Sequence, residues 1–185
     1  MIDDILSSAD HKMAAAVEHT REEFAGIRTG RAHPAMFNKI MVDYYGAPTP
    51  LQQLATFQVP EARTVLISPF DRGAMKNIMR AIRDSDLGVN PADDGAVIRL
   101  VMPQLTEERR KEYIKMARHK AEEGRVAIRN GRRHAYDAIK KLEKDKEIGE
   151  DDAKSAEKKL DLATKKHIEQ IDAELKHKES ELLEV

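Results

Sequence analysis

The sequence predicts an α+β protein of two domains, a long three-helix bundle with a small α/β module of β-α-β type inserted into it. Three observations carry this expectation. All seven prolines (34, 48, 50, 60, 69, 91 and 103) lie between Pro34 and Pro103, and long helices must exclude a residue that lacks an amide donor and clashes with the preceding turn. Apolar residues recur in threes and fours outside that window and nearer every second position inside it, the periods of helix and strand. Charged residues make up 35% and aromatics only 4%, against roughly 25% charged in an average soluble chain, which suits long, solvent-washed helices. The predicted bundle comprises residues 1–30 and 105–185 and the insert 31–104, with hinges near 29–31 and 103–106.

The first helix carries its inward stripe on Ile2, Leu6, Ala9, Met13, Ala16, Thr20, Phe24 and Ile27. It is expected to stop near Thr29, with Arg28 against the negative end of the dipole, Gly30 in a left-handed cap and Pro34 blocking continuation. In the insert, Lys39–Tyr45, Ala55–Val59, Arg63–Ser68 and Val97–Met102 read as short strands, separated by Gly46-Ala-Pro-Thr-Pro50 and Pro60. Met75, Ile78, Met79 and Ile82 mark one amphipathic helix within Gly73–Asp84, and Asn90-Pro91 and Asp94-Gly95 are turn chemistry.

After Pro103, Thr106 is placed to cap a helix opening with Glu107 and Glu108. Its stripe runs Ile114, Ala117, Ala121, Gly124, Ile128, Gly131, Ala135, Ile139 and Leu142. A break at Gly149 precedes the last helix, with a stripe of Ala153, Ala156, Leu160, Ala163, His167, Ile171, Leu175 and Leu182. Two passages of chain, near Thr29-Gly30-Arg31 and Pro103-Gln104, join the modules, a connection that predicts a bent molecule with a variable angle between its arms.

No Cys and no Trp occur among the 185 residues, which excludes disulfide scaffolds, thiol catalysis, zinc clusters and iron–sulfur sites. The longest uncharged stretch, Tyr44 to Pro60, holds three prolines and three glutamines and cannot span a membrane. Met1 leads into Asp3 and Asp4 without a basic region or apolar core, so a cytoplasmic protein without a membrane partner is expected. No phosphate-binding loop, nucleophile elbow or H-E-x-x-H motif is present, and the seven histidines form no metal-ligand spacing. Neither enzyme activity nor a cofactor is expected.

The net charge of −1 hides a segregation: residues 107–149 carry +5, while 1–29 carry −3 and 150–185 carry −4. Local fields rather than net charge steer polyanions. On the third helix Arg118, Arg125, Arg129 and Arg132 recur in steps of seven, four and three, a line that flanks the core stripe and is expected to face outward. The alternative is a solvated face laced with local ion pairs. Arg118 and Arg125 can reach Glu122 and Arg133 can reach Asp137 at helical spacing, whereas Arg129 and Arg132 have no acid three or four positions away. Like charges so placed repel by a few tenths of a kcal/mol, so an acid-free row is expected to serve an anionic partner. Arginine suits RNA, because its planar fork donates two parallel bonds to a phosphate and stacks on bases.

Several motifs then become specific. Ile27-Arg-Thr-Gly-Arg-Ala32 with Pro34, Tyr44-Tyr-Gly-Ala-Pro-Thr-Pro-Leu51 with Gln53-Leu54-Ala55, Ser85-Asp-Leu-Gly-Val-Asn-Pro91, Leu105-Thr-Glu-Glu-Arg-Arg-Lys-Glu112 and Arg129-Asn-Gly-Arg-Arg133 closely resemble the ribosome recycling factors. The tail, Ile171-Asp, Lys178-Glu and Glu181-Leu-Leu-Glu-Val185, does so too. The resemblance covers essentially the whole chain in order. It implies a non-enzymatic, monomeric translation factor that binds the post-termination ribosome and, with elongation factor G and GTP, promotes splitting into subunits. It implies a bundle lying on large-subunit ribosomal RNA and a smaller domain that swings about the hinge when pushed by elongation factor G. Arg132 and Arg129 match the family's RNA-contacting arginines, and Arg28, Arg31 and Arg133 match basic positions of the same surface; Arg125 and Arg110 complete the expected RNA-binding set. Gly131 stands where a bulkier residue is usual, and close packing at the core edge is the expected reason.

Overall fold

The computed structural model describes residues 1–184. In chain order its elements are α1 (Ile2–Ala25), β1 (Met41–Tyr44), β2 (Ala47–Pro50), β3 (Ala55–Glu61), β4 (Thr64–Pro69), α2 (Met75–Arg83), β5 (Ala92–Asp93), β6 (Ile98–Val101), α3 (Glu107–Lys144) and α4 (Glu150–Leu183), with short 3-10 turns at Pro34–Phe37, Leu51–Gln53 and Arg72–Ala74. The chain divides into two compact units, Met1–Ile27 with Arg110–Glu184, and Arg28–Arg109.

The first unit is built from the three long helices, with α1 packing most closely on α4. Met13, Ile128, Ile139, Leu160 and Ile171 are among its fully buried side chains. Small residues fill much of the rest, so backbones come near each other. At Gly124 of α3 an added Cβ would collide with Thr20 Oγ1 of α1 and lie 2.8 Å from Ile171 Cδ1 of α4, so glycine is what lets three helices meet at that level. The buried Thr20 and Thr164 hydroxyls donate to the carbonyls of Ala16 and Leu160, each at 2.8 Å. Neither leaves a polar group stranded. His167, 4% exposed, lies with Nε2 2.9 Å from Asp10 Oδ1 and Nδ1 3.2 Å from Gln170 Oε1, which is how an imidazole is held on a core stripe.

Gly131 has a different surrounding. Its added Cβ would meet only Met13 Cγ at 3.9 Å, ordinary contact, so close packing does not explain it and the expectation is corrected. The end of α1 also differs from expectation. The helix stops at Ala25, where Gly26 is a poor propagator and the Ile27 amide reaches back only three residues to Phe24 O, at 3.0 Å. Its last turn carries no basic residue. Gly30 does adopt a left-handed φ of +78°, but beyond the helix rather than as its cap.

At the start of α3 the Arg109 amide donates to Thr106 Oγ1 at 3.1 Å, satisfying one of the unpaired first-turn donors. Its far end closes with the Glu147 amide on Leu142 O at 2.9 Å and the Lys146 amide on Glu143 O at 3.0 Å, a Schellman pattern that needs a left-handed residue. Lys146 fills that place with φ +60°.

The second unit holds a four-stranded sheet of order β3-β4-β6-β5 and a separate β1-β2 ribbon, every pairing antiparallel. α2 buries Met75, Ile78 and Ile82 into the shared core with Phe37, Leu51, Ile67, Ile98 and Leu100. Two strands lie where turns were expected. β2 contains Pro48 and Pro50, opposite Asp43 and Met41. The two-residue turn Tyr45-Gly46 has φ of +50° and +86°, the type I′ hairpin. It makes Tyr44↔Ala47 the hydrogen-bonded pair, so the prolines fall on alternate positions whose nitrogens point away from the partner. β5 is only two residues long, too short for any periodicity. Asp71 ties the ribbon to the unit: Oδ1 accepts from the Gly73 amide at 2.8 Å, and Oδ2 accepts from the Tyr44 and Tyr45 hydroxyls at 3.0 Å each.

Candidate nucleic-acid interface

The helical repeat places Arg118, Arg125 and Arg132 seven residues apart on α3, so they succeed one another along one edge with a slow drift. That edge lies against α4, and each guanidinium meets an acid there. Arg118 Nε is 2.7 Å from Glu179 Oε1. Arg125 Nη2 is 2.7 Å from Asp172 Oδ1 and its Nη1 3.0 Å from Glu122 Oε2. Arg132 Nε is 2.8 Å from Asp161 Oδ1. Farther along, Lys140 Nζ is 3.1 Å from Glu157 Oε1.

The row is therefore not free of acids, and this corrects the sequence reading. Arg129 Nη1 reaches Glu122 Oε1 at 3.1 Å, two turns back on its own helix, and Arg132 is met across the seam. Spacings of three and four on one helix capture neither contact. Arg118 is likewise paired with Glu179 rather than with Glu122, and Arg133 makes no ion pair among the described residues. Bonds from Arg125 and then Arg129 hold the Glu122 carboxyl below its ordinary range.

Exposure separates the arginines. The Arg125 side chain keeps only 20% of its surface and is forked between Asp172 and Glu122, a bridge within the bundle. Arg129 keeps 54% and Arg132 38%. Arg132 also lies over the Tyr136 ring, 5.5 Å from its centroid, and Lys140 is at the same distance, so the tyrosine makes cation–π contact with both. Arg133 is exposed and Arg110 half-buried, neither with an ion pair among the described residues. Arg28 and Arg31 belong to the second unit, where Arg28 Nη2 donates to Asp86 O at 3.3 Å. Among the described residues no group of three or more His, Asp or Glu side chains could hold a metal ion, and no helix is long and apolar enough to cross a membrane.

A bundle with an arginine-lined edge and an inserted antiparallel unit agrees with the motifs in the chain, and comparison with known proteins decides the matter. The family model described as ribosome recycling factor matches residues 20–183. The chain belongs to the ribosome recycling factor family. A ribosome-recycling factor of a Nocardioides species is 70% identical over 185 residues, covering 100% of both chains. One from Cutibacterium acnes is 68% identical over 182 residues, covering 98% of this chain and 99% of its own. A solution structure of the ribosome recycling factor superposes with a TM-score of 0.80 at 40% identity, over 100% of this chain and 98% of the other. A second neighbour, from models of the Thermus thermophilus ribosome recycling factor and the Escherichia coli elongation factor G bound to the E. coli post-termination complex, gives a TM-score of 0.71 at 42% identity with both chains fully covered.

Within this recycling-factor fold, sequence reasoning missed a set of cations. Arg72, Lys76, Arg80 and Arg83, on α2 and the turn before it, are exposed and make no ion pair among the described residues. Their spacing of four, four and three was the available signal. It was also the acid side of the α3 seam that went unread: Asp172 and Glu179 stand seven apart, matching Arg125 and Arg118 on an antiparallel neighbour.

Proposed function

We propose that the chain is a ribosome recycling factor working in the cytoplasm as a monomer without enzymatic activity. It binds post-termination ribosomes by laying the basic edge of α3 on large-subunit ribosomal RNA. With elongation factor G and GTP it promotes splitting into subunits. The observation that carries this reading is the pair Arg129 and Arg132, partly exposed on a rigid helix with donors unspent. Arg132 commits Nε to Asp161 and Arg129 commits Nη1 to Glu122, out of five N–H donors on each guanidinium. The remaining N–H groups suit phosphate oxygens. Arg133 and Arg110 extend the cationic surface. Arg125 contributes by bracing the seam, and Arg28 and Arg31 supply charge from the second unit.

The hinge consists of Thr29, Gly30 and Arg31 on one passage and Pro103 and Gln104 on the other. Gly30, with φ +78° and an added Cβ that would lie 3.7 Å from Leu105 Cγ, supports this, since the two passages run side by side there. In this reading, elongation factor G drives rotation about these residues.

Replacing Arg132 with alanine should weaken ribosome binding by roughly 1.5–3 kcal/mol, the value of a hydrogen bond to a charged group, while thermal unfolding stays nearly unchanged because the pair with Asp161 is exposed. Filter binding or co-sedimentation with vacant ribosomes measures the first and a melting curve the second. Equal affinity for variant and parent defeats the assignment.

A further inference from the structure

Each of the two arginines that face RNA in the reading above already holds a carboxylate, and both carboxylates are more than half exposed. Asp161 keeps 57% of its side-chain surface at 2.8 Å from Arg132 Nε. Glu122 keeps 54% at 3.1 Å from Arg129 Nη1, and its other oxygen serves Arg125 at 3.0 Å. A carboxylate and a phosphate offer a guanidinium the same thing, a pair of anionic oxygens. They compete for it.

We propose that Asp161 and Glu122 are built-in competitors for RNA phosphate at Arg132 and Arg129, so that binding proceeds by exchange of carboxylate for phosphate and stays readily reversible. The proposal rests on the assignment of this edge of α3 to RNA. The register of the seam gives Asp161 its special place. Arg118 and Arg125 pair with Glu179 and Asp172, each seven residues from the last. The next step of seven brings Arg132 to the level of Lys165, which is no partner for it. Arg132 turns instead to Asp161, one helical turn farther along α4. The two acids differ in hold as well. Glu122 is gripped by two guanidinium groups, which hold its carboxyl below the ordinary range, whereas among the described residues Asp161 has the single partner Arg132. Asp161 is therefore the acid that leaves more easily and the better one to test.

The consequence is kinetic. An incoming phosphate meets an arginine already held by a carboxylate, and so also meets a negative charge tethered beside it. That charge lowers the net attraction and speeds departure, which suits a factor that must leave each ribosome to serve the next. Affinity differences of this kind fall mainly on the dissociation rate. Removing the acid adds up to one effective charge to the contact. Binding should then become more salt-sensitive by up to about 0.7–0.9 in log–log slope, the value per neutralised phosphate.

The test compares the parent with Asp161→Asn, Asp161→Glu and Arg132→Ala, each checked by thermal melt, in binding to vacant ribosomes across a salt series with dissociation followed by stopped flow. Asp161→Asn should bind about two- to fivefold more tightly, the worth of an exposed ion pair, dissociate correspondingly more slowly and show the steeper slope. Asp161→Glu should return all three to parental values. If Arg132→Ala weakens binding while Asp161→Asn weakens it too or leaves it unchanged, Asp161 only positions the arginine and the exchange proposal is overturned, with the RNA-binding edge intact. If Arg132→Ala changes nothing, the edge itself is misassigned and the proposal goes with it.

Discussion

Two glycines on one helix, seven residues apart, do opposite things. Gly124 sits where three helices converge, and a methyl group there would run into Thr20 Oγ1 and come within 2.8 Å of Ile171 Cδ1. Gly124→Ala should destabilise the bundle by about 1–3 kcal/mol, the usual range for overpacking, and removal of the opposing hydroxyl and methyl in Thr20→Ala/Gly124→Ala should recover part of the loss. Gly131 has its nearest neighbour at 3.9 Å, so Gly131→Ala should stabilise by roughly 0.5–1 kcal/mol through lower chain entropy. Urea unfolding of the three variants checks both signs. Asp71 makes a different kind of prediction. The Gly73 amide, then the Tyr45 and Tyr44 hydroxyls, hold its carboxyl below the ordinary value of 3.8. A lowered folded-state pKa adds stability that is complete above the unfolded value and fades as pH falls through the folded one. Asp71→Asn should therefore cost stability near neutrality, and the gap to the parent should shrink as pH drops below about 4. A gap that is constant with pH would show that the charge is immaterial.

At the scale of elements, the α3–α4 turn carries strain that one substitution can relieve. Lys146 occupies the left-handed position of a Schellman cap at φ +60°, where a side chain crowds its own carbonyl. Lys146→Gly should raise stability by about 0.5–1 kcal/mol, read as an upward shift in melting temperature with ribosome affinity unchanged. The long helices were legible from the sequence because a stripe of eight or nine inward residues leaves no ambiguity of period. The errors fell where local chemistry was outvoted. Gly26 ended α1 before Gly30 could, and the prolines of β2 read as loop although a hairpin has positions that need no amide. The arginine edge was legible as a list of residues but not as a surface. Its acids come from a neighbouring helix and from two turns away, and no window of three or four residues reaches that far.

For the molecule as a whole, the charge segregation has a second meaning beside the one first read from it. The +5 of residues 107–149 and the −4 of 150–185 are partly spent on each other along the α3–α4 seam, so the field available to a polyanion is smaller than the count on α3 suggests. Binding to ribosomes should still be strongly salt-dependent. Engagement of Arg110, Arg129, Arg132 and Arg133 with four phosphates implies a log–log slope of about −3. A slope near zero would indicate an apolar docking surface in place of RNA. The packing of α1 on α4 bears on the chain's own birth. α1 is covered by α4, which is synthesised after it, with the entire second unit made in between. Until α4 emerges, Met13, whose sulfur lies 3.9 Å from Thr164 Oγ1 of that helix, lacks part of its cover. The nascent protein must carry an unsealed apolar flank through most of its own translation, on the very machine its mature form is built to release.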